Sequence, residues 1–319
     1  MESGDILSGA VRIAVVGSGA VGGYYGAKLA EAGADVHFLM RRDLEAVRES
    51  GLRVRSECHG DFHLEGVAAY GGTHEIGPVD IVIVAIKTTS NAVLPELLSP
   101  LVGNDTVVLT LQNGLGADEF LGASLGEANV LGGLCFVCLN RVAPGEIHHI
   151  GEGKIHLGEL AGEARERTHA LGEAFRIAGV DCIVTDRLAA ARWTKLVWNV
   201  PFNGLAIAAG GIDVARILAD EVLLARVRVL MDEVLEAARL MGFELRDSLA
   251  EEQVAVTYRM GAYRPSSLID FEEGREVEVE SIWGEPLRRG RDVGATMEAL
   301  SGLYEEIRAR VKRRDAIVG

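Results

Sequence analysis

Gly17-Ser18-Gly19-Ala20-Val21-Gly22 has the G-x-G-x-x-G spacing that cradles a pyrophosphate. The first glycine makes a tight turn, the second lets backbone approach the ligand and the third packs helix on strand. The unbonded N–H groups of the following helical turn then attract phosphate oxygens. All six residues are candidate contacts to a dinucleotide. Arg41-Arg42 follows the next apolar run. An acidic residue there would accept from a ribose 2′-hydroxyl, whereas a guanidinium grips a 2′-phosphate bidentately, so Arg41 points to NADP(H) rather than NAD(H). Asp43 reads as a helix cap ahead of residues 44–50.

A second set lies far downstream. Lys195, Asn199 and Asn203, spaced i, i+4 and i+8, share one face of a helical pattern over 188–205 whose other members include Trp193, Leu196, Val197, Trp198, Val200 and Phe202. One ammonium and two carboxamides on such a segment would line a cleft. The alternative, a polar surface stripe broken at Pro201 and stopped at Asn203-Gly204, fits the spacing equally well. Lys87 and Asn113 each follow an apolar run. Both would then stand at carboxyl ends of strands, the edge where open α/β sheets bind ligands; a snorkelling lysine and an ordinary Asn-Gly turn are the plain alternatives.

The elements that must position these groups are legible as alternation. Residues 11–16, 34–40, 79–86, 106–111 and 130–139 are strand-like, and 24–32, 91–101 and 118–125 are helix-length. The glycine turn with its flanking strands makes a βαβ unit of ~30 residues. The pattern predicts a Rossmann-type, doubly wound parallel sheet covered by helices on both faces. Residues 147–150 and 154–159 read as a hairpin, and 163–185 as a further helix and strand. From 188 onward strand-like runs nearly vanish. In 220–241, Val222, Leu223, Val227, Leu230, Met231, Val234, Leu235 and Ala238 recur at helical spacing. The expected organisation is a dinucleotide-binding domain over 10–187 and an all-helical domain over 188–319.

The 319 residues carry a net charge of −15 and are 48% apolar. That excess of acid argues against nucleic acid or an anionic membrane as partner, and no apolar stretch approaches the ~20 residues of a membrane span. The N-terminal decapeptide has neither a basic region nor a long apolar core, which predicts a cytoplasmic protein. Apolar C-terminal helices are compatible with a homodimer. Cys58, Cys135, Cys138 and Cys182 are too few and scattered for a disulfide framework. Cys135-Phe-Val-Cys138 falls in a strand-like run where i and i+3 face opposite sides, so no metal site is expected there or elsewhere.

Taken together, GSGAVG, AIK, QNG, WTKLVWNVPFN, PSSLID and GREVEVESIWG, in this order between Arg12 and Gly290, resemble the ketopantoate reductase family. The resemblance implies a Rossmann domain, a helical C-terminal domain, and NADPH-dependent reduction of 2-dehydropantoate to pantoate in the cleft between them. It makes Lys195 the catalytic lysine, with Asn199 and Asn203 as substrate and positioning residues. Lys87 and Asn113 become neighbours of the nicotinamide end, Ser266 a contact to the substrate carboxylate, and Glu278 a carboxylate reaching the cofactor near the active centre. The chemistry coheres: hydride goes to the keto carbon while the ammonium stabilises and protonates the oxygen. By pattern alone Glu276-Val-Glu278-Val-Glu280 alternates like an exposed strand; only the resemblance puts Glu278 in a helical region. Trp283, Asp213 and Tyr263 stand where the family commonly has asparagine. On the substrate side such changes would alter which acid is accepted, so a reductase of another branched 2-keto acid is the competing enzyme, and a non-enzymatic NADP(H) sensor the competing class.

Overall fold

The apolar runs of the first half pair into one sheet. The computed structural model describes residues 2–318, and among these are ten strands: β1 (Arg12–Val16), β2 (Asp35–Leu39), β3 (Leu52–Ser56), β4 (Phe62–Leu64), β5 (Ala68–Tyr70), β6 (Val79–Val84), β7 (Val102–Thr110), β8 (Val130–Ala143), β9 (Glu146–Glu159) and β10 (Cys182–Val184). Their order is β4-β3-β9-β8-β7-β6-β1-β2-β5, with β10 on β9. The strands from β5 through β8 in that order run parallel. β9 is antiparallel to β8, and β4 to β3, so a doubly wound parallel core carries a mixed edge. β1 lies between β2 and β6. Its carboxyl end is the switch point at which such sheets bind ligands.

Burial on both faces explains why the central strands read as unbroken apolar runs. Ile13, Val15, Ile81, Ile83 and Leu109 pack into a core on one face, and Ala14, Val16, Val82, Val84 and Val108 into a core on the other. The short strands β3, β4 and β5 are additions that the apolar pattern did not announce, being brief and half polar.

Two elements differ from the sequence reading for identifiable reasons. Residues 147–150 and 154–159 are not two strands of a hairpin but parts of the single strand β9. The intervening Gly151-Glu152-Gly153 forms a bulge, with register shifts against β8 and Glu152 at φ 60°. The hairpin is instead β8–β9, turning at Gly145 (φ 70°). Residues 91–101 do not form one helix: a 3-10 helix Thr88–Val93 passes into a short α-helix Leu94–Leu98 with Pro95 in its first turn.

The chain divides into two compact units. One takes Met1–Gln112 with Ala117–Leu188, and the other takes Asn113–Gly116 with Ala189–Gly319. The second unit is helical: Leu188–Ala208 runs into it, and Val214–Ala219, Glu221–Leu240, Leu249–Tyr258, Ser266–Glu272, Glu285–Asp292 and Glu298–Val318 follow. In Glu221–Leu240, Val227, Leu230, Met231, Val234, Leu235 and Ala238 are buried. Val222 is 72% exposed, since it falls in the first turn directly after the Asp220 cap, whose carboxylate accepts from the N–H groups of Val222 and Leu223. Among the described residues no helix is long and apolar enough to cross a membrane.

Pro201 does not break its helix, nor does Gly204 end it: Leu188–Ala208 runs through both. A proline inside a helix costs about 3 kcal/mol. Packing offsets that cost, because Val197, Val200, Phe202, Leu205 and Ala206 are fully buried around it.

Candidate active site

The glycine turn sits between β1 and the helix Ala20–Glu31. Gly17 has φ 101°, and a Cβ there would come within 2.5 Å of the Ile86 nitrogen. At Gly22 a Cβ would meet the Gly17 carbonyl at 2.3 Å. Gly19, the N-cap residue, would meet nothing within 4 Å. The first and third glycines are therefore demanded by close packing, whereas the second borders open space. Ala20 and Val21 form the first helical turn. Ser18 turns its hydroxyl to the Leu39 carbonyl (2.9 Å), tying the turn to the end of β2.

Arg41 and Arg42 follow β2, exposed and with no hydrogen bond or ion pair among the described residues. Asp43 occupies the N-cap position of Leu44–Ser50, but its carboxylate does not cap the helix. It accepts from Arg141 (2.7 Å) and the Gly145 N–H (3.3 Å) instead. An ion pair with the β8–β9 hairpin thus replaces the expected cap. Lys87 precedes the 3-10 helix Thr88–Val93. Gln112, which the spacing argument passed over, holds this region: its amide nitrogen donates to the Ile86 carbonyl (2.9 Å) and to Asn91 Oδ1 (2.6 Å). Its place beside Asn113 in QNG was the available signal.

Within the helical unit, Lys195 Nζ donates to Asn113 Oδ1 at 2.9 Å. Asn113 can reach it because the Asn113–Gly116 segment is tied to this unit at three points. The Leu115 N–H donates to the Ser281 carbonyl (2.9 Å), and buried Arg192 reaches the Gly114 carbonyl (3.4 Å). Gly114, at φ 80°, packs where a Cβ would lie 2.2 Å from the Ser281 oxygen. Ser281 belongs to a π-helical turn, Glu280–Gly284. Glu278 lies just ahead of this turn and is buried; its carbonyl accepts from Ile282 N and Ser281 Oγ. Residues 276–280 do not form the strand that their alternation suggested, because these carbonyls are taken by a helical turn rather than by a neighbouring strand.

Asn199 and Asn203 are buried on the same helix as Lys195. The Asn203 amide oxygen accepts from the Ser267 N–H (3.1 Å), so it fastens the start of Ser266–Glu272; Ser266 itself is exposed. The three departures from the family pattern have structural partners. Trp283 is fully buried and donates its indole N–H to the Val200 carbonyl (2.9 Å). Asp213 caps Val214–Ala219 by accepting from the Arg216 N–H (2.9 Å). The Tyr263 ring stands 6.1 Å from Trp198, and its carbonyl accepts from the Val214 N–H.

A Rossmann-type unit with a glycine turn, followed by a helical unit carrying a buried polar stripe, defines a two-domain oxidoreductase. The family model described as ketopantoate reductase PanE/ApbA matches residues 13–162, and that described as ketopantoate reductase PanE/ApbA C terminal matches residues 187–311. The chain belongs to this family. A 2-dehydropantoate 2-reductase of Nostoc sp. is 42% identical over 93% of this chain and 94% of its own. The crystal structure of a 2-dehydropantoate 2-reductase from Geobacter metallireducens is 45% identical with a TM-score of 0.91, covering 94% of this chain and 99% of that one. One from Methylococcus capsulatus is 35% identical with a TM-score of 0.89, covering 95% and 98%.

Proposed function

We propose that this chain reduces 2-dehydropantoate to pantoate with NADPH. The observation that carries the reading is the 2.9 Å hydrogen bond from Lys195 to Asn113, beside Asn199 on one helix. An ammonium held at its tip by a neutral amide is fixed in orientation without a neighbouring carboxylate to neutralise it in that bond. The open cradle at Gly19 and the exposed guanidinium of Arg41 suit a dinucleotide carrying a 2′-phosphate.

Bound NADPH supplies the hydride. Lys195 would stabilise the negative charge that hydride addition leaves on the keto oxygen and would give that oxygen its proton. Asn199 and Asn203 are assigned to the substrate side, with Asn203 acting by fastening the segment that bears Ser266, the proposed partner of the substrate carboxylate. Lys87, Asn113 and Glu278 are assigned to the nicotinamide end. The names of the relatives supply the substrate. Packing and capping roles for Trp283 and Asp213 weaken the argument that these residues redirect specificity.

The test is NADPH absorbance with purified protein and a panel of 2-keto acids. Oxidation selective for ketopantoate over 2-ketoisovalerate is expected. Selectivity for another branched acid would keep the mechanism and overturn the substrate, and tight NADPH binding with no turnover on any acid would favour a sensor.

A further inference from the structure

The loop between β3 and β4 and the bulged middle of β9 bring together three side chains whose chemistry the reductase reading does not use. Ser56, the last residue of β3, is in register with His149 of β9, and the chain then turns back over that residue. The Cys58 Sγ comes within 3.8 Å of His149 Nδ1 and 3.9 Å of Nε2. His59 completes the group: one ligand atom from each of Cys58, His59 and His149 lies within 4.8 Å of the other two. Donor atoms around a tetrahedral zinc ion are roughly 3.3–3.6 Å apart, given the usual Zn–S and Zn–N lengths. The three groups need to close by only about an ångström, and Cys58 and His59 lie on an exposed loop.

His149 is set up as a ligand by what surrounds it. It is fully buried, and its Nε2 lies 3.2 Å from the Glu152 carbonyl, an acceptor only, so Nε2 carries the proton and Nδ1 presents its lone pair. A backbone carbonyl on the far nitrogen is the usual arrangement behind a metal-bound histidine. Glu152 is the only non-glycine with positive φ among the described residues, and this conformation belongs to the bulge that brings its carbonyl onto His149. Nδ1 is met at 2.9 Å by the Ser56 hydroxyl, which also accepts from the His59 N–H (2.9 Å), so the Ser56 side chain must turn to another rotamer for a cation to take that lone pair. The Tyr24 hydroxyl, 3.1 Å from His59 Nδ1, orients the third ligand.

We propose that Cys58, His59 and His149 form a site for a borderline-soft divalent cation, zinc foremost, with the fourth position open to water. One thiolate and two imidazoles are the donor set such ions prefer over the hard cations, which seek oxygen. On binding, the Cys58 thiol gives its proton to solvent. The ion would clip the β3–β4 loop to β9 and stabilise the N-terminal unit by mass action. Sequence reading missed the site because 90 residues separate His59 from His149 and neither side shows a metal-binding spacing.

The test is titration of tag-free, chelator-treated full-length protein with Co²⁺, followed by displacement with Zn²⁺. One equivalent of Co²⁺ is expected to develop a thiolate-to-cobalt charge-transfer band that Zn²⁺ abolishes, with a rise in Tm. Cys58→Ser should remove the band and His59→Ala should weaken uptake at least tenfold; both residues are exposed, so neither change threatens the fold. No saturable band at one equivalent, or the same titration in both variants, would overturn the site. These readouts do not involve turnover, so their failure leaves the reductase reading untouched.

Discussion

The indole of Trp283 occupies the space that a side chain at Gly204 would need: a Cβ there would come within 2.8 Å of Trp283 Nε1 and 2.6 Å of Leu303 Cδ2. The same Nε1 donates to the Val200 carbonyl one turn earlier, so Trp283 is fixed to the helix that carries Lys195. Gly204→Ala should therefore destabilise the protein by about 1–3 kcal/mol through overpacking. Leu303→Ala added to it should couple favourably, because the closest obstructing atom is removed. A chemical-denaturation midpoint unchanged by Gly204→Ala would mean that the indole yields freely.

Gly114 is a stricter case, since both its φ of 80° and its contact with the Ser281 backbone forbid a side chain. Gly114→Ala should displace Asn113 from Lys195, lowering kcat more than it lowers Tm. Equal kcat in the variant would show that the Lys195–Asn113 bond is dispensable.

The strand–glycine turn–helix unit and the alternation of strand and helix were legible because each rests on local rules: glycine spacing, apolar runs and end signals. Arg192, Gln112 and Ser281 were not, since their importance lies in backbone groups they meet far along the chain. Asp43 and Pro201 show the converse. Each carries a strong local signal, a cap and a break, that a tertiary partner or a packed core overrides. Glu278 needed the family resemblance, as its alternating neighbours mimic a strand.

If Arg41 pairs with a 2′-phosphate, Arg41→Ala should raise the KM for NADPH while leaving that for NADH nearly unchanged. A charged hydrogen bond contributes on the order of 1.5–3 kcal/mol, so the NADPH preference should fall by roughly tenfold or more. An undiminished preference in steady-state kinetics would remove Arg41 from the site.

Lys195→Ala should separate chemistry from binding. NADPH affinity, measured by fluorescence titration, is expected to survive, while kcat falls by about 10²–10⁴-fold, the usual worth of a positioned acid. Retained turnover would exclude Lys195 as the proton donor.

Burial pushes the Cys182 thiol up to about 12 from an ordinary 9.0, with Asp181 and Cys135 adding to the shift and Arg176 opposing it. Between those values the unfolded chain gives up the thiol proton and the folded chain keeps it. The folded state then binds more protons, so stability falls as pH rises through this window. Cys182→Ala should flatten part of that alkaline loss, beyond any uniform destabilisation from the smaller side chain, when denaturation midpoints are compared from pH 8 to 11. The same burial keeps the thiolate, the reactive species, scarce. Iodoacetamide at pH 8 should therefore label exposed Cys58 well before buried Cys182, and equal labelling of the native protein would show that the strand carrying Cys182 opens readily.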